Sequence, residues 1–300
     1  MVNRREFVKG LGAAAGVAAM GGCKSPCGGR TFYGPTVRDR LWMWGHHPAC
    51  VKEAGWGFPK HGFANAKFVD QAEGCRLMGI PNNCFSRCAD LPKYPCWDYF
   101  DQFKGLDQLG FEIIGCGPES VWEKMRICFE EIQPRCKNLT TCLLDDFFSD
   151  PALTLNETDL AKVAEQVHAH DLRLSMVFYS DYNGFKPEYR NRLRMCDEVS
   201  VWFWEYKYIE TMAENVKRTR DFIGGERDLL LGLYMWDFPG GNPISGELMA
   251  KQLEYARKFL ADRTIDGIVF HPTFVAGLDL DAVKVSKAWI KANADRPWGV

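Results

Sequence analysis

Carboxylates abut apolar runs at three places in this chain: Asp145 and Asp146 in CLLDDFF, Glu205 in WFWEY and Asp237 in YMWDF. A carboxylate that closes a buried strand stands at the rim of the sheet, over whatever binds there. Two such groups flanking a bond are the minimum for cleaving a glycoside. One protonates the leaving oxygen while the other attacks or activates water. On this pattern Asp146 is expected as nucleophile or base and Glu205 as general acid. Asp145 is a tuning neighbour, because converging carboxylates disfavour simultaneous ionisation. Asp237 is the alternative for either role.

The same run ends carry aromatic and polar residues suited to a sugar, whose C–H faces pack on rings and whose hydroxyls bond to carboxylates and amides. His46, His47, Asn83, Arg87, Glu119, Asp181, Tyr182, Trp204, Tyr206, Trp236 and His271 are the expected substrate contacts. A second chemistry competes. His46, His47 and His271, with Asp145 and Asp146, could ligate a divalent metal in a hydrolase or isomerase. The two histidines of the first run are adjacent rather than spaced H-x-H, and adjacent strand residues point apart, so no cofactor is expected. A third reading is a barrel that binds carbohydrate without turning it over.

These residues need elements to hold them. Short apolar runs at 41–45, 77–80, 111–115, 140–144, 172–179, 198–204, 229–236 and 267–270 read as strands. Between and after them lie amphipathic stretches near 65–77, 97–109, 119–135, 158–170, 186–195, 208–222, 246–262 and 280–293. In the stretch 158–170, Leu160, Val163, Ala164 and Val167 share one helical face. Eight strands alternating with eight helices predict a parallel sheet covered on both faces. The length suits one (β/α)8 TIM barrel over 38–300. An open doubly wound sheet would want a glycine-rich phosphate loop after an early strand, and none occurs.

Residues 1–22 stand apart. Arg4-Arg5, Phe7 and Lys9 precede a small, apolar stretch too short to span a bilayer. This segment resembles a twin-arginine export signal. Met20-Gly21-Gly22-Cys23 resembles a lipoprotein cleavage box with Cys23 as the lipidated residue, and 23–37 reads as a tether. The resemblance implies the twin-arginine export machinery as a partner and a periplasmic or outer-surface location. It implies contact with a membrane only through the lipid.

Composition narrows the remaining classes. Lys and Arg total 37 against 39 Asp and Glu, and no basic block stands out, which disfavours nucleic acid as a partner. With 20 Phe, 10 Trp and 10 Tyr there is ample surface to bury, so the chain is not a disordered one. The 12 Cys show no CxxC pair and no zinc spacing. They read as small buried residues, with a disulfide within Cys84, Cys88 and Cys96 as the exception.

With the export signal, the strand–helix rhythm over about 38–295 and the LLDDFF and GLYMWDFPGG segments, the chain resembles exported bacterial barrels of the glycoside-hydrolase-like superfamily. The resemblance implies a carbohydrate substrate and catalytic carboxylates on strands four and six or four and seven. Many such enzymes carry Glu after strands four and seven, where this chain has Asp. The DxxDxDxE run of chitinase-like barrels is missing.

Overall fold

A computed structural model describes residues 33–299. The export segment 1–22, Cys23 and the first part of the tether lie outside the described residues. Eight strands form a closed parallel barrel: β1 (Leu41–Gly45), β2 (Asn82–Phe85), β3 (Gln108–Ile114), β4 (Leu139–Leu144), β5 (Arg173–Tyr179), β6 (Glu198–Trp202), β7 (Asp228–Tyr234) and β8 (Gly267–His271). Each pairs with its neighbours in chain order, and β1 closes on β8 with Trp42 opposite Val269. The fold is the (β/α)8 barrel that the alternation predicts. No helix of the described residues is long and apolar enough to cross a membrane.

The helices follow from local chemistry. Asn156 caps α5 (Glu157–Ala169) by accepting the Asp159 N–H, and Ser245 caps α8 (Gly246–Ala261) by accepting the Leu248 N–H. Helix α5 buries Leu160, Val163, Ala164 and Val167, the face read from sequence. Full burial of a Leu or Val side chain stabilises the fold by about 1.5–3 kcal/mol.

The helix expected over 65–77 begins only at Gln71, the one expected over 208–222 is a 3₁₀ helix to Thr211 followed by an α-helix from Met212, and three further elements differ more. The second strand is not 77–80 but β2, because Leu77 and Met78 end helix α2 (Gln71–Met78). Gly79 stops that helix in the left-handed region, with φ of 70°. Polar Asn82 and Asn83 then run inside the sheet, where the Asn82 amide bonds the Asp39 and Leu41 carbonyls and that of Asn83 bonds the Met43 carbonyl. The stretch 97–109 holds only α3 (Trp97–Phe100) and a 3₁₀ turn before β3 begins. The stretch 119–135 is α4 (Val121–Arg126) continued by a π-helical turn (Ile127–Ile132) that buries Ile127, Cys128 and Ile132.

The N-terminal strand ends form the floor. Arg173 and Glu198 pair there at 3.2 Å, and Arg173 also holds Asp228. Tyr33, the first described residue, reaches across this floor and donates its hydroxyl to Glu198. At the opposite end, Trp236–Asp237 pairs antiparallel with Asn242–Pro243. No disulfide links the ten described cysteines. The bridge expected within Cys84, Cys88 and Cys96 is not formed. Cys84 is sealed in β2, and Cys88 turns instead to hydrogen-bond Cys50.

Candidate active site

The strand ends opposite the floor enclose a cavity of about 150 Å³. Alternation along the strands selects its inner wall, because every second residue faces inward. Strand β5 supplies Val177 and Tyr179, β6 supplies Trp202, β7 supplies Tyr234, and β1 supplies Trp44 and, just past its end, His46. The Trp202 ring fits only because β7 carries Gly232 beside it, where a Cβ would lie 2.1 Å from the indole. Trp202 meets Trp44 edge-on at 5.9 Å and donates its indole N–H to Ser200. Trp56 and Phe238 reach in from loops, 5.0 Å apart and edge-on.

Asp145 and Asp146 both line this cavity. Consecutive strand residues should point apart, but Asp146 has φ of 51°. That left-handed turn, which Asp tolerates better than most residues, breaks the alternation and lets both carboxylates reach the cavity. The Asp145 carboxylate accepts the Asp146 N–H at 3.0 Å and faces the Ser86 hydroxyl at 3.4 Å. Burial, then the charges of Asp146 and Glu112, push its carboxyl well above the usual range. Asp146 is also raised by burial, with a hydrogen bond from Tyr179 working against the shift. Tyr179 in turn hydrogen-bonds Tyr234, so the two phenols form a relay leading to Asp146.

Behind Asp145 sits a charged pair that the sequence did not point to. Glu112 of β3 and Lys124 of α4 meet at 2.6 Å, both almost fully buried. Lys124 also donates to the Cys116 carbonyl, and Glu112 accepts from Ser86 and the Arg87 N–H. Ser86 thus stands between Glu112 and Asp145. Cys88 and Cys116 line the cavity beside this cluster.

His46 and His271 form the remaining edge. The His46 Nδ1 lies 3.3 Å from the Ser86 carbonyl, which can only accept, so that nitrogen carries the proton. Its Nε2 is then an acceptor, and His271 Nε2 donates to it at 3.2 Å. His271 Nδ1 is left unprotonated, buried and without a partner among the described residues. Burial lowers His46 to about 4, and burial and the His46 charge hold His271 well below its ordinary value. Both rings are neutral at pH 7. Among the described residues, no group of three or more His, Cys, Asp or Glu is arranged to hold a metal ion.

Trp204 also lines this cavity, and the other residues singled out from sequence lie elsewhere. Glu205 pairs with Lys207 at 2.6 Å, with both side chains about half exposed, and does not line the cavity. Asp237 accepts the Gly240 N–H at 3.1 Å and closes the small hairpin. Arg87 and Glu119 pair at 2.6 Å, with Arg87 stacked on Tyr94. Asn83 lies in the sheet and turns outward to Cys75 of α2. His47 packs on Tyr99 and accepts the Ala49 N–H. Asp181 accepts the Tyr182 N–H. Trp236 is fully buried, stacked on Phe58 at 3.9 Å, and supports the Trp56 loop through its N–H. The Tyr206 side chain lies outside the described residues. Tyr182 and Trp204 are exposed and line a second cavity of about 240 Å³ with Asp146, Ser149 and Tyr179.

Tyr179 and Tyr234 could have been found by counting back in steps of two from each strand end. Trp56 has no such signal, since a loop delivers it.

No family model matches the chain, and no curated protein does. Solved structures match across most of its length. A candidate alpha-L-fucosidase from Bacteroides thetaiotaomicron is 12% identical with a TM-score of 0.50, over 86% of this chain and 96% of that one. The tryptophan synthase alpha-subunit from Pyrococcus furiosus is 8% identical with a TM-score of 0.49, over 86% and 98%. The PgaB (BpsB) glycoside hydrolase domain from Bordetella bronchiseptica is 11% identical with a TM-score of 0.46, over 82% and 98%. At such identity the likeness to the fucosidase shows the barrel fold alone, and one barrel hosts unrelated chemistries.

Proposed function

We propose that this protein is a glycoside hydrolase whose proton-transfer pair is Asp145 and Asp146. The observation that carries the reading is that both carboxylates line one aromatic-walled cavity at the mouth of the barrel. Asp145, more strongly raised, is the acid that protonates the leaving oxygen. Asp146, steadied by Tyr179, is the base for water or the nucleophile. Trp44, Trp56, Trp202 and Phe238 offer ring faces to a sugar, and the neutral His46–His271 pair lies beside them. Glu205 is given no part in the reaction, because its carboxylate is committed to Lys207 at the surface. No cofactor is assigned.

The test is hydrolysis of a panel of aryl glycosides and oligosaccharides by the wild type and by D146N. Turnover by the wild type and its loss in the variant is the expected result. Binding of a glycan with no turnover would replace this reading with carbohydrate binding alone. One tightly held zinc or manganese per purified chain would replace it with metal-dependent hydrolysis or isomerisation.

Export through the twin-arginine machinery and lipidation at Cys23 form part of the proposal and rest on the sequence alone. Mass spectrometry of the mature N-terminus tests them, and an intact Met1 would overturn them.

A further inference from the structure

Two cavities meet at Asp146. The inner one, about 150 Å³, is floored by Trp44, Trp202 and the His46–His271 pair. The outer one, about 240 Å³, is edged by the exposed rings of Tyr182 and Trp204. Asp146, Tyr179 and Trp204 belong to both. The inner space opens toward the outer one, and about 150 Å³ is the volume that one six-membered ring such as benzene fills. A drug-sized ligand needs about 300 Å³ or more. The inner cavity is therefore the size of one sugar ring, and a second ring would lie in the outer cavity. The floor is core: Trp44 is 5% exposed and Trp202 3%, so a chain cannot thread through it. The bond over Asp146 is then the one that joins the terminal ring to the rest.

The charge of that ring follows from the lining. Among the described residues no Lys or Arg lines the inner cavity, and its two acidic side chains are the proposed proton-transfer pair. An anion there would leave water for a site with no cation to receive it and two carboxyl groups facing it.

Building on the glycosidase reading, we infer that the enzyme is exo-acting. It takes one terminal sugar, uncharged or bearing an amine, in the inner cavity, and the remainder of the glycan lies along Tyr182 and Trp204. In the reaction a water adds to the anomeric carbon, the glycosidic C–O bond breaks, and the leaving oxygen takes a proton. The products are one monosaccharide and the shortened chain.

The experiment uses the full chain and the oligosaccharide series of whichever aryl glycoside it hydrolyses. A tetrasaccharide labelled at its reducing end is supplied with its non-reducing end free or methylated. The free form should lose one sugar at a time, and the methylated form should react at least about 100-fold more slowly. Internal cleavage of the methylated form at a similar rate overturns the inference and leaves the glycosidase reading standing. Failure to cleave any glycoside overturns both. In a second arm, 4-nitrophenyl hexuronides should show kcat/KM at least about 100-fold below the matching hexosides, and parity overturns the charge assignment. In a third, Tyr182→Ala should raise KM for the tetrasaccharide severalfold while the inhibition constant of the released monosaccharide stays unchanged. A shift in that inhibition constant overturns the division of the site.

Discussion

His46 and His271 lie 225 residues apart in sequence and meet nitrogen to nitrogen at 3.2 Å, on the seam where β1 closes against β8. Both imidazoles are held neutral by burial, with folded values below that of a free histidine. As pH falls below 6.5 the unfolded chain takes up these protons first. The folded chain does so at His46 only near pH 4. Stability should therefore decline between pH 6.5 and 4, by up to about 1.4 kcal/mol per pH unit for each ring. Melting temperature against pH checks this. His271→Gln should flatten the slope, and an unchanged slope would remove the pair from the account.

Asp145 titrates in the opposite sense. Its folded value is raised, so its contribution is fully present below the unfolded value and is lost as pH rises through the folded one. Asp145→Asn removes that loss. The melting-temperature advantage of the variant over wild type should grow with pH above about 4. The same variant should lose the alkaline limb of the kcat/KM profile, along with about 10²–10⁴-fold in rate.

Lys124 and Glu112 make a matched buried pair. Lys124→Met strands the Glu112 charge and should cost about 3–5 kcal/mol in denaturant unfolding. The double variant Glu112→Gln, Lys124→Met should recover a large part of that. Because Glu112 also anchors Ser86 beside Asp145, the recovered double variant should still show a shifted pH profile.

Asp237 and Trp204 separate support from contact. Asp237→Asn keeps an acceptor for the Gly240 N–H, so its activity should stay within about threefold of wild type, in contrast to the loss expected at a proton-transfer residue. Trp204→Ala removes a ring shared by both cavities. It should lower kcat/KM by about 10–100-fold, roughly the 1.5–3 kcal/mol of a large apolar contact, chiefly through KM. Steady-state kinetics on one hydrolysed glycoside checks both.

The barrel was legible because its strands are continuous apolar runs and its long helices carry a clean face, as in Leu160, Val163, Ala164 and Val167 of α5. Strand β2 was not, since its polar Asn82 and Asn83 spend their amides on neighbouring backbone, which no periodicity announces. The site was legible to the level of which run ends face the mouth. The orientation of each side chain was not. Asp146 turns inward only through a positive φ, and Glu205 turns away to Lys207 across a bend that ends β6 early. The Glu112–Lys124 pair was hidden because a single Glu in FEII and a single Lys in WEKM read as surface charges until β3 and α4 are packed together.

The Tyr33 hydroxyl, docked on Glu198 at the base of the barrel, fixes more than a packing contact. It fixes which way the molecule faces relative to whatever precedes it in the chain. Any upstream attachment pulls from the closed end, and the opening with Asp145 and Asp146 is presented on the far side. Were the chain moored through Cys23, as proposed, a bulky polymer could approach head-on, without having to pass between the protein and its anchor.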